Sequence, residues 1–326
     1  MTAFHLDRRL PPGLLMNALR ADAREGLAAS PRYIPSKWLF DSRGSELWEK
    51  ITQLPEYYPF RTERDILRAA AQEIAEATRA SSIIELGSGS ANKTTILLRA
   101  LRATGTIKAY TSIDISESAL VTAGSRLTAE YPGLSVRTVL ADFETQAEVI
   151  AARDCPAPRL VLFLGGTIGQ LMPAQRGGFL RRLHDLFQQG DMLLLGVDLV
   201  KDPAEFMAAY DDSAGISTAF NKNLLAVLNA QVDADFDLDT FNYVVTWDDE
   251  AERLEMWEES RINQSVHLPG IDLCIELTAG ERIWTATSAK FRREGIRSEL
   301  ECAGFSLGRW WTDPDRRYAL SLSTLM

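Results

Sequence analysis

The segment Ile83-Ile84-Glu85-Leu86-Gly87-Ser88-Gly89 is where residue types and spacing first point to chemistry. An apolar stretch runs into glycines and then into a helix-forming stretch, so a strand, a tight loop and a helix start are expected in succession. Glycine lets a backbone approach a ligand with no Cβ in the way. Two acids downstream would complete such a site. Asp114 ends the stretch Ser112-Ile113-Asp114, where a carboxylate can accept both hydroxyls of a ribose. Asp142-Phe143 ends the next strand, where the acid can bind an adenine amino group and the ring can stack on the base. Position 92 is Asn, so the full G-x-G-x-x-G of a pyrophosphate loop is missing. The loop therefore suits the amino acid end of S-adenosyl-L-methionine better than a dinucleotide. A single acid at a strand end is as readily a cap as a ligand group; the set of three features carries the reading.

These residues need strands ending on one edge of a sheet, and the pattern supplies them. Ser82 to Leu86, Tyr110 to Ile115, Val136 to Leu140, Arg159 to Leu164 and Met192 to Leu199 read as strands. Their apolar runs lack alternation, as in parallel strands buried on both faces. Helices are expected at Lys93 to Leu101, at Glu117 to Glu130, and where Phe179, Leu183, Leu186 and Phe187 fall at helical spacing. This rhythm is that of an α/β, doubly wound fold. From about 201 to 289 it is lost. Helical pieces at Ala204 to Tyr210 and Asn221 to Gln231 give way to strand-like stretches at Phe241 to Trp247, Arg253 to Ser260 and Asp272 to Leu277. A helix at Gly295 to Ala303 and a strand at Ala319 to Leu325 then return to the core style, so 201–289 reads as an insertion. Residues 1–61 are rich in aromatics and cut by Pro31, Pro35, Pro55 and Pro59.

Composition narrows the class. The net charge is −10, without a basic stripe, which disfavours nucleic acid as partner. Apolar runs are too short to cross a bilayer, and Arg8, Arg9, Pro11 and Pro12 interrupt any signal-like start. Cys155, Cys274 and Cys302 form no pair or metal motif. The expectation is a soluble cytoplasmic protein acting on a small molecule, with no membrane or nucleic-acid partner. Asp233, Asp235, Asp237 and Asp239 alternate like a calcium loop but lack its central Gly and final Glu, and Phe236 and Leu238 between them suggest a strand, so no metal is expected. His5, His184 and His267 are isolated and read as structural or surface groups.

Further motifs carry a family resemblance. They include Lys37-Trp38-Leu39-Phe40-Asp41, Leu54-Pro55-Glu56-Tyr57-Tyr58-Pro59, Phe163-Leu164-Gly165-Gly166-Thr167-Ile168-Gly169, Asp198-Leu199-Val200-Lys201-Asp202, Glu255-Met256-Trp257 and Trp310-Trp311-Thr312-Asp313-Pro314. With Glu85 to Gly89 they span nearly the whole chain. The sequence resembles the ergothioneine-pathway histidine Nα-methyltransferases, which convert L-histidine to its trimethylated betaine, hercynine. The resemblance implies a Rossmann-like class I methyltransferase core, at 62–200 and 290–326, with an inserted substrate-binding α+β domain built from 1–61 and 201–289. It implies S-adenosyl-L-methionine as cofactor, S-adenosyl-L-homocysteine as product and a free amino acid as substrate. Gly87, Gly89, Lys93, Asp114, Asp142, Phe143 and Thr167 match cofactor contacts. Tyr57, Gly165, Tyr210, Met256 and Ser288 match substrate contacts, Tyr210 being a partner of the substrate carboxylate.

Four positions depart from the family pattern. Gln170 replaces an asparagine on the substrate carboxylate, an amide one methylene longer. Phe40 replaces a tyrosine near the reacting amine; with Tyr57 it is the candidate for positioning that amine. Ala286 replaces the glutamate that binds the imidazole. Trp48 replaces a phenylalanine and adds aromatic surface. Phe40, Trp48 and Phe220 are candidates for a wall that holds the amine as methylation makes it bulky and cationic, although aromatics are as often plain core. A site built for a polar partner penalises its absence, so Ala286 leaves two acceptors open. One is L-histidine, with another group taking over the ring contact; the other is an amino acid such as tryptophan or tyrosine. A non-catalytic protein sensing an amino acid or S-adenosylmethionine is the alternative class.

Overall fold

The computed structural model describes residues 4–10, 12–151 and 155–326. The chain opens with β1 (His5–Arg8), α1 (Pro12–Ala28), β2 (Arg32–Tyr33), α2 (Ser42–Ile51) and α3 (Tyr58–Thr78). Strands and helices then alternate: β3 (Ser82–Leu86), α4 (Thr94–Ala103), β4 (Ala109–Asp114), α5 (Glu117–Glu130), β5 (Ser135–Leu140), β6 (Arg159–Phe163), α6 (Pro173–Leu186) and β7 (Met192–Asp198). Next come α7 (Pro203–Tyr210), α8 (Ile216–Val232), β8 (Phe241–Asp248), β9 (Arg253–Ser260), β10 (Gln264–Leu268), β11 (Leu273–Leu277) and β12 (Arg282–Ala289). The chain closes with α9 (Arg293–Cys302), β13 (Phe305–Thr312) and β14 (Tyr318–Leu325). It divides into two compact units. Unit 1 holds the N-terminal residues through Arg9, Pro59–Val200 and Lys290–Met326; unit 2 holds Leu10–Tyr58 and Lys201–Ala289.

Unit 1 is built on an eight-stranded sheet in the order β1-β5-β4-β3-β6-β7-β14-β13. The first six strands are parallel; β14 runs antiparallel between β7 and β13. Every residue of β3, β4 and β6 is buried, which is why these stretches are apolar without alternation. Successive strands are laid down on one side of β3 and then, from β6, on the other. Such a reversal leaves a crevice at the carboxyl ends of the strands, and Gly87 and Asp114 sit there, at the ends of β3 and β4.

Three expectations change. The sequence pattern puts residues 5–8 with 1–61 in the second domain, but β1 pairs in parallel with β5, His5 opposite Arg137. A four-residue polar edge strand has no apolar run by which to be read. Pro59 does not break the chain; it lies in the first turn of the 21-residue α3, where a missing N–H costs nothing. The stretch around Phe236 and Leu238 is not a strand: the Asp237 carboxylate accepts from the Asp239 N–H and starts a short 3-10 turn.

Unit 2 contains a four-stranded sheet, β2-β12-β9-β8, and the hairpin β10-β11. Helix α8 packs against α2, β8 and β9. Most of its turns are buried, including Phe220, Asn221, Asn223, Leu224 and Leu228. One carboxylate joins α2 to it. Asp41 Oδ1 accepts from the Gly44 N–H at 2.7 Å, capping α2, and from Asn223 Nδ2 at 2.7 Å. A Cβ on Gly44 would lie 1.6 Å from the Leu39 carbonyl oxygen, so only glycine allows this turn. Asp41→Ala removes the cap and strands the Asn223 amide. It is expected to cost about 1–3 kcal/mol, read from the urea midpoint at unchanged slope.

Candidate active site

The glycine loop of unit 1 is held by acids on both sides. Glu85, at the end of β3, is buried and accepts from Thr94 Oγ1 at 2.5 Å and from the Tyr110 hydroxyl at 2.6 Å. It thus ties the start of α4 and strand β4 to β3. Burial pushes its carboxyl above the ordinary value, against the pull of those two hydroxyls. Asp114 also lies buried. Its Oδ2 accepts from the Gly89 N–H and its Oδ1 from the Ser116 N–H, both at 2.9 Å. Burial raises its carboxyl too, while the backbone N–H groups lower it. Gly87 and Gly89 have φ of +63° and +49°, a region that costs a residue with Cβ. No atom lies within 4 Å of a Cβ placed on Gly89, and the Phe143 ring comes to 3.6 Å of one on Gly87. Ser88 Oγ, between them, is buried without a hydrogen-bond partner among the described residues.

The other strand ends of unit 1 complete this half. Asp142 Oδ1 accepts from the Glu144 N–H at 2.9 Å. Phe143 meets Phe163 and Phe179 edge-on, at 5.5 and 5.9 Å between ring centres. Past β6, Gly165 and Gly166 have φ of +79° and +68°, and Thr167 Oγ1 donates to the Leu164 carbonyl at 2.9 Å. Gln170 closes that turn. Lys93 forms an ion pair with Glu63, a residue the motif reading passed over. Glu63 is 0% exposed and also accepts from the Gly165 N–H at 2.8 Å and from the Tyr318 hydroxyl at 3.0 Å. A Cβ on Gly196 would lie 2.0 Å from its Oε1. Glu63 has no glycine neighbour in sequence to mark it, so its role shows only once α3, the strand ends and β14 are folded together.

Unit 2 brings together the acceptor candidates that lie within it. Phe40 meets Trp48 at 5.8 Å and Phe220 at 5.5 Å; Trp48 meets Tyr57 at 5.5 Å and Phe220 at 5.8 Å. Tyr57 meets Tyr210 edge-on at 5.9 Å. The aromatic wall read from the sequence is thus one connected cluster, with the α2–α8 clamp at Asp41 fixing two of its helices. At its other end the Tyr210 hydroxyl and Ser288 Oγ are hydrogen-bonded at 2.8 Å. Tyr243, unmarked in the sequence, donates its hydroxyl to the Tyr210 carbonyl at 3.0 Å. Met256 on β9 and Ala286 on β12 are directly opposed, and both are buried. Glu258, two residues along β9 from Met256, is buried as well. Desolvation raises its carboxyl from 4.5 to about 8, the charge of Lys222 only partly opposing it.

A doubly wound sheet with β14 reversed between its last strands, and a glycine loop flanked by acids at its switch point, defines a class I S-adenosylmethionine-dependent methyltransferase. The model of the histidine-specific, SAM-dependent methyltransferases matches residues 19–325, and the chain belongs to that family. It is 46% identical over 306 residues to the histidine N-alpha-methyltransferase of Mycolicibacterium smegmatis, covering 94% of each chain. It is 44% identical to that of Mycobacterium tuberculosis, over the same shares of both chains. A more distant relative is the 4-dimethylallyltryptophan N-methyltransferase of Claviceps fusiformis, 31% identical over 62% of this chain and 61% of that one.

Two outcomes test this geometry. Lys93→Met leaves Glu63 buried and unneutralised and is expected to destabilise unit 1 by about 3–5 kcal/mol, measured by chemical denaturation. For Glu258, the folded state holds its proton more tightly than the unfolded chain does. Its contribution is therefore fully present below pH 4.5 and lost as pH rises to about 8. Wild-type stability should fall relative to Glu258→Gln across that window, by up to about 1.4 kcal/mol per pH unit, and the two should run parallel below it.

Proposed function

We propose that this chain transfers methyl groups from S-adenosylmethionine to the α-amino nitrogen of free L-histidine, releasing S-adenosylhomocysteine and a betaine, as a step of ergothioneine biosynthesis. The observation that carries the reading is the 44–46% identity, over 94% of the chain, to relatives named for that reaction. The cytoplasm is the proposed site of action, which the exposed free thiols of Cys274 and Cys302 suit.

The residues of unit 1 fit the cofactor. The bare Cα positions of Gly87 and Gly89 and the unpartnered Ser88 hydroxyl leave a cradle with a free polar atom. Each Asp114 oxygen keeps a lone pair beyond the one spent on a backbone N–H, so the carboxylate can take both ribose hydroxyls. Asp142 and Phe143 would take the adenine edge and face, Gly87, Gly89 and Thr167 the amino acid end. Lys93 commits one of its three donors to Glu63 and has others for the same end. When bound, S-adenosylmethionine supplies a methyl group on a sulfonium centre.

On the acceptor, the hydroxyls of Tyr210 and Ser288, hydrogen-bonded to each other within unit 2, would hold the carboxylate. Displacement at the methyl carbon is in line, so alignment of the amine is the main task of the protein. The amine must arrive neutral. Solvent can take its proton beforehand, so no buried base is required of Tyr57 or Phe40. Their rings, with Trp48 and Phe220, present π faces that hold the nitrogen as it becomes a quaternary cation. Met256 would line the side-chain end.

Ala286 taken alone favours a second acceptor reading, an amino acid with a larger ring such as tryptophan or tyrosine. A turnover screen of the twenty amino acids with product mass spectrometry separates the two: histidine should dominate. No methylated product from any of them would remove the reading altogether. Asp114→Asn should weaken S-adenosylhomocysteine binding by about tenfold or more, read by calorimetry.

A further inference from the structure

Strand β9 alternates between two faces. Leu254, Met256, Glu258 and Ser260 are buried, while Arg253, Glu255, Trp257 and Glu259 are half-buried. The register places Glu258 opposite Tyr243 on β8 and opposite Ile283 on β12. The same face carries the Met256–Ala286 pair and, one step further, Ser288 opposite Leu254. A bulge between Trp284 and Ala286 sets Ala286 against Met256. Tyr210 anchors this face to the acceptor site twice over, through its hydroxyl to Ser288 and through its carbonyl to Tyr243. Glu258 therefore belongs to the acceptor face of the sheet.

Its chemistry is out of place for a core. Glu258 is 0% exposed, and neither carboxyl oxygen has a hydrogen-bond partner among the described residues. Lys222 of α8 is the cation whose charge reaches it, but that ammonium donates to the Leu238 carbonyl at 3.0 Å. Burying a carboxyl unpaired is strongly unfavourable, and an apolar residue at 258 would pack there at no such cost. Ala286, which the register sets opposite Met256, two residues before Glu258 on β9, adds only a methyl group to the same face.

Resting on the histidine reading above, we infer that Glu258 is a specificity-determining residue, the acidic group that receives the ring N–H of the acceptor's imidazole. A neutral acid at neutral pH can accept from a ring N–H, and it ionises readily against an imidazolium. Either way the buried carboxyl gains a partner that the described residues do not give it.

The test is made on the full chain with S-adenosylhomocysteine bound. Calorimetry measures the affinity of L-histidine and of 3-(2-thienyl)-L-alanine, a ring of similar size without an N–H; kcat/KM for histidine is measured in parallel. Wild type should prefer histidine by about tenfold or more. Glu258→Leu should lose about that factor for histidine, mostly in KM, while the thienyl analogue keeps its affinity. Adding Ala286→Glu to Glu258→Leu should restore most of the histidine affinity. Glu258→Gln, which keeps the shape and one acceptor oxygen, should fall between and serves if the leucine variant does not fold. A folded Glu258→Leu within about twofold of wild type on histidine would overturn the inference, as would an equal loss for both ligands, which would mean a structural role. If wild type methylates another amino acid and not histidine, the acceptor reading fails on its own arm, before any variant is compared.

Discussion

The fold of unit 1 turns on a carboxylate that never meets solvent. Glu85 sits at the last turn of a strand whose two edges are both occupied, by β4 and β6. Its two hydroxyl partners come from the next helix and the next strand. Because each hydrogen bond is made in a medium of low polarity, a misplaced partner is expensive, and the glycine loop between them has one path left to follow. The positive φ of Gly87 and Gly89 is the form that path takes. Asp114 then closes it from the side, holding the Gly89 N–H.

A second principle runs through both units: buried charge is used to locate elements, and where it is not neutralised it becomes available to a ligand. Glu63 is spent fully, on Lys93, Gly165 and Tyr318. Asp41, although exposed, is likewise spent, on Gly44 and Asn223. Among the described residues, Asp114 is half spent, and Glu258 not at all. Ordered by how much of their hydrogen-bonding capacity the protein uses, these acids run from pure scaffold to candidate contact.

How much of this was legible in the sequence depends on range. The strands from Ser82 to Met192 announced themselves, since burial on both faces forces apolar runs. The glycine loop and its two acids were legible because strand, loop and acid follow one another at close quarters. β13 was not, since Phe-Ser-Leu-Gly-Arg-Trp-Trp-Thr lies at the sheet edge with much of it exposed and carries a register shift between Leu307 and Arg309. β12 hid behind its own bulge, which breaks the two-residue period. Glu63 and Tyr318 are 255 positions apart, and no local pattern links them. Glu258 stands close to two other acids, Glu255 and Glu259, and only strand alternation decides which of them turns inward.

The close fit of Gly196 to Glu63 has a consequence for how such a chain can change over generations. A Cβ at 196 would lie 2.0 Å from Glu63 Oε1, so a larger residue there obliges the Glu63 carboxyl to move. A carboxyl that moves gives up the contacts it makes with Lys93, Gly165 and Tyr318, so a change at 196 is felt at all three. Packing on β7 thereby couples position 196 to position 63 for any chain that keeps the acid.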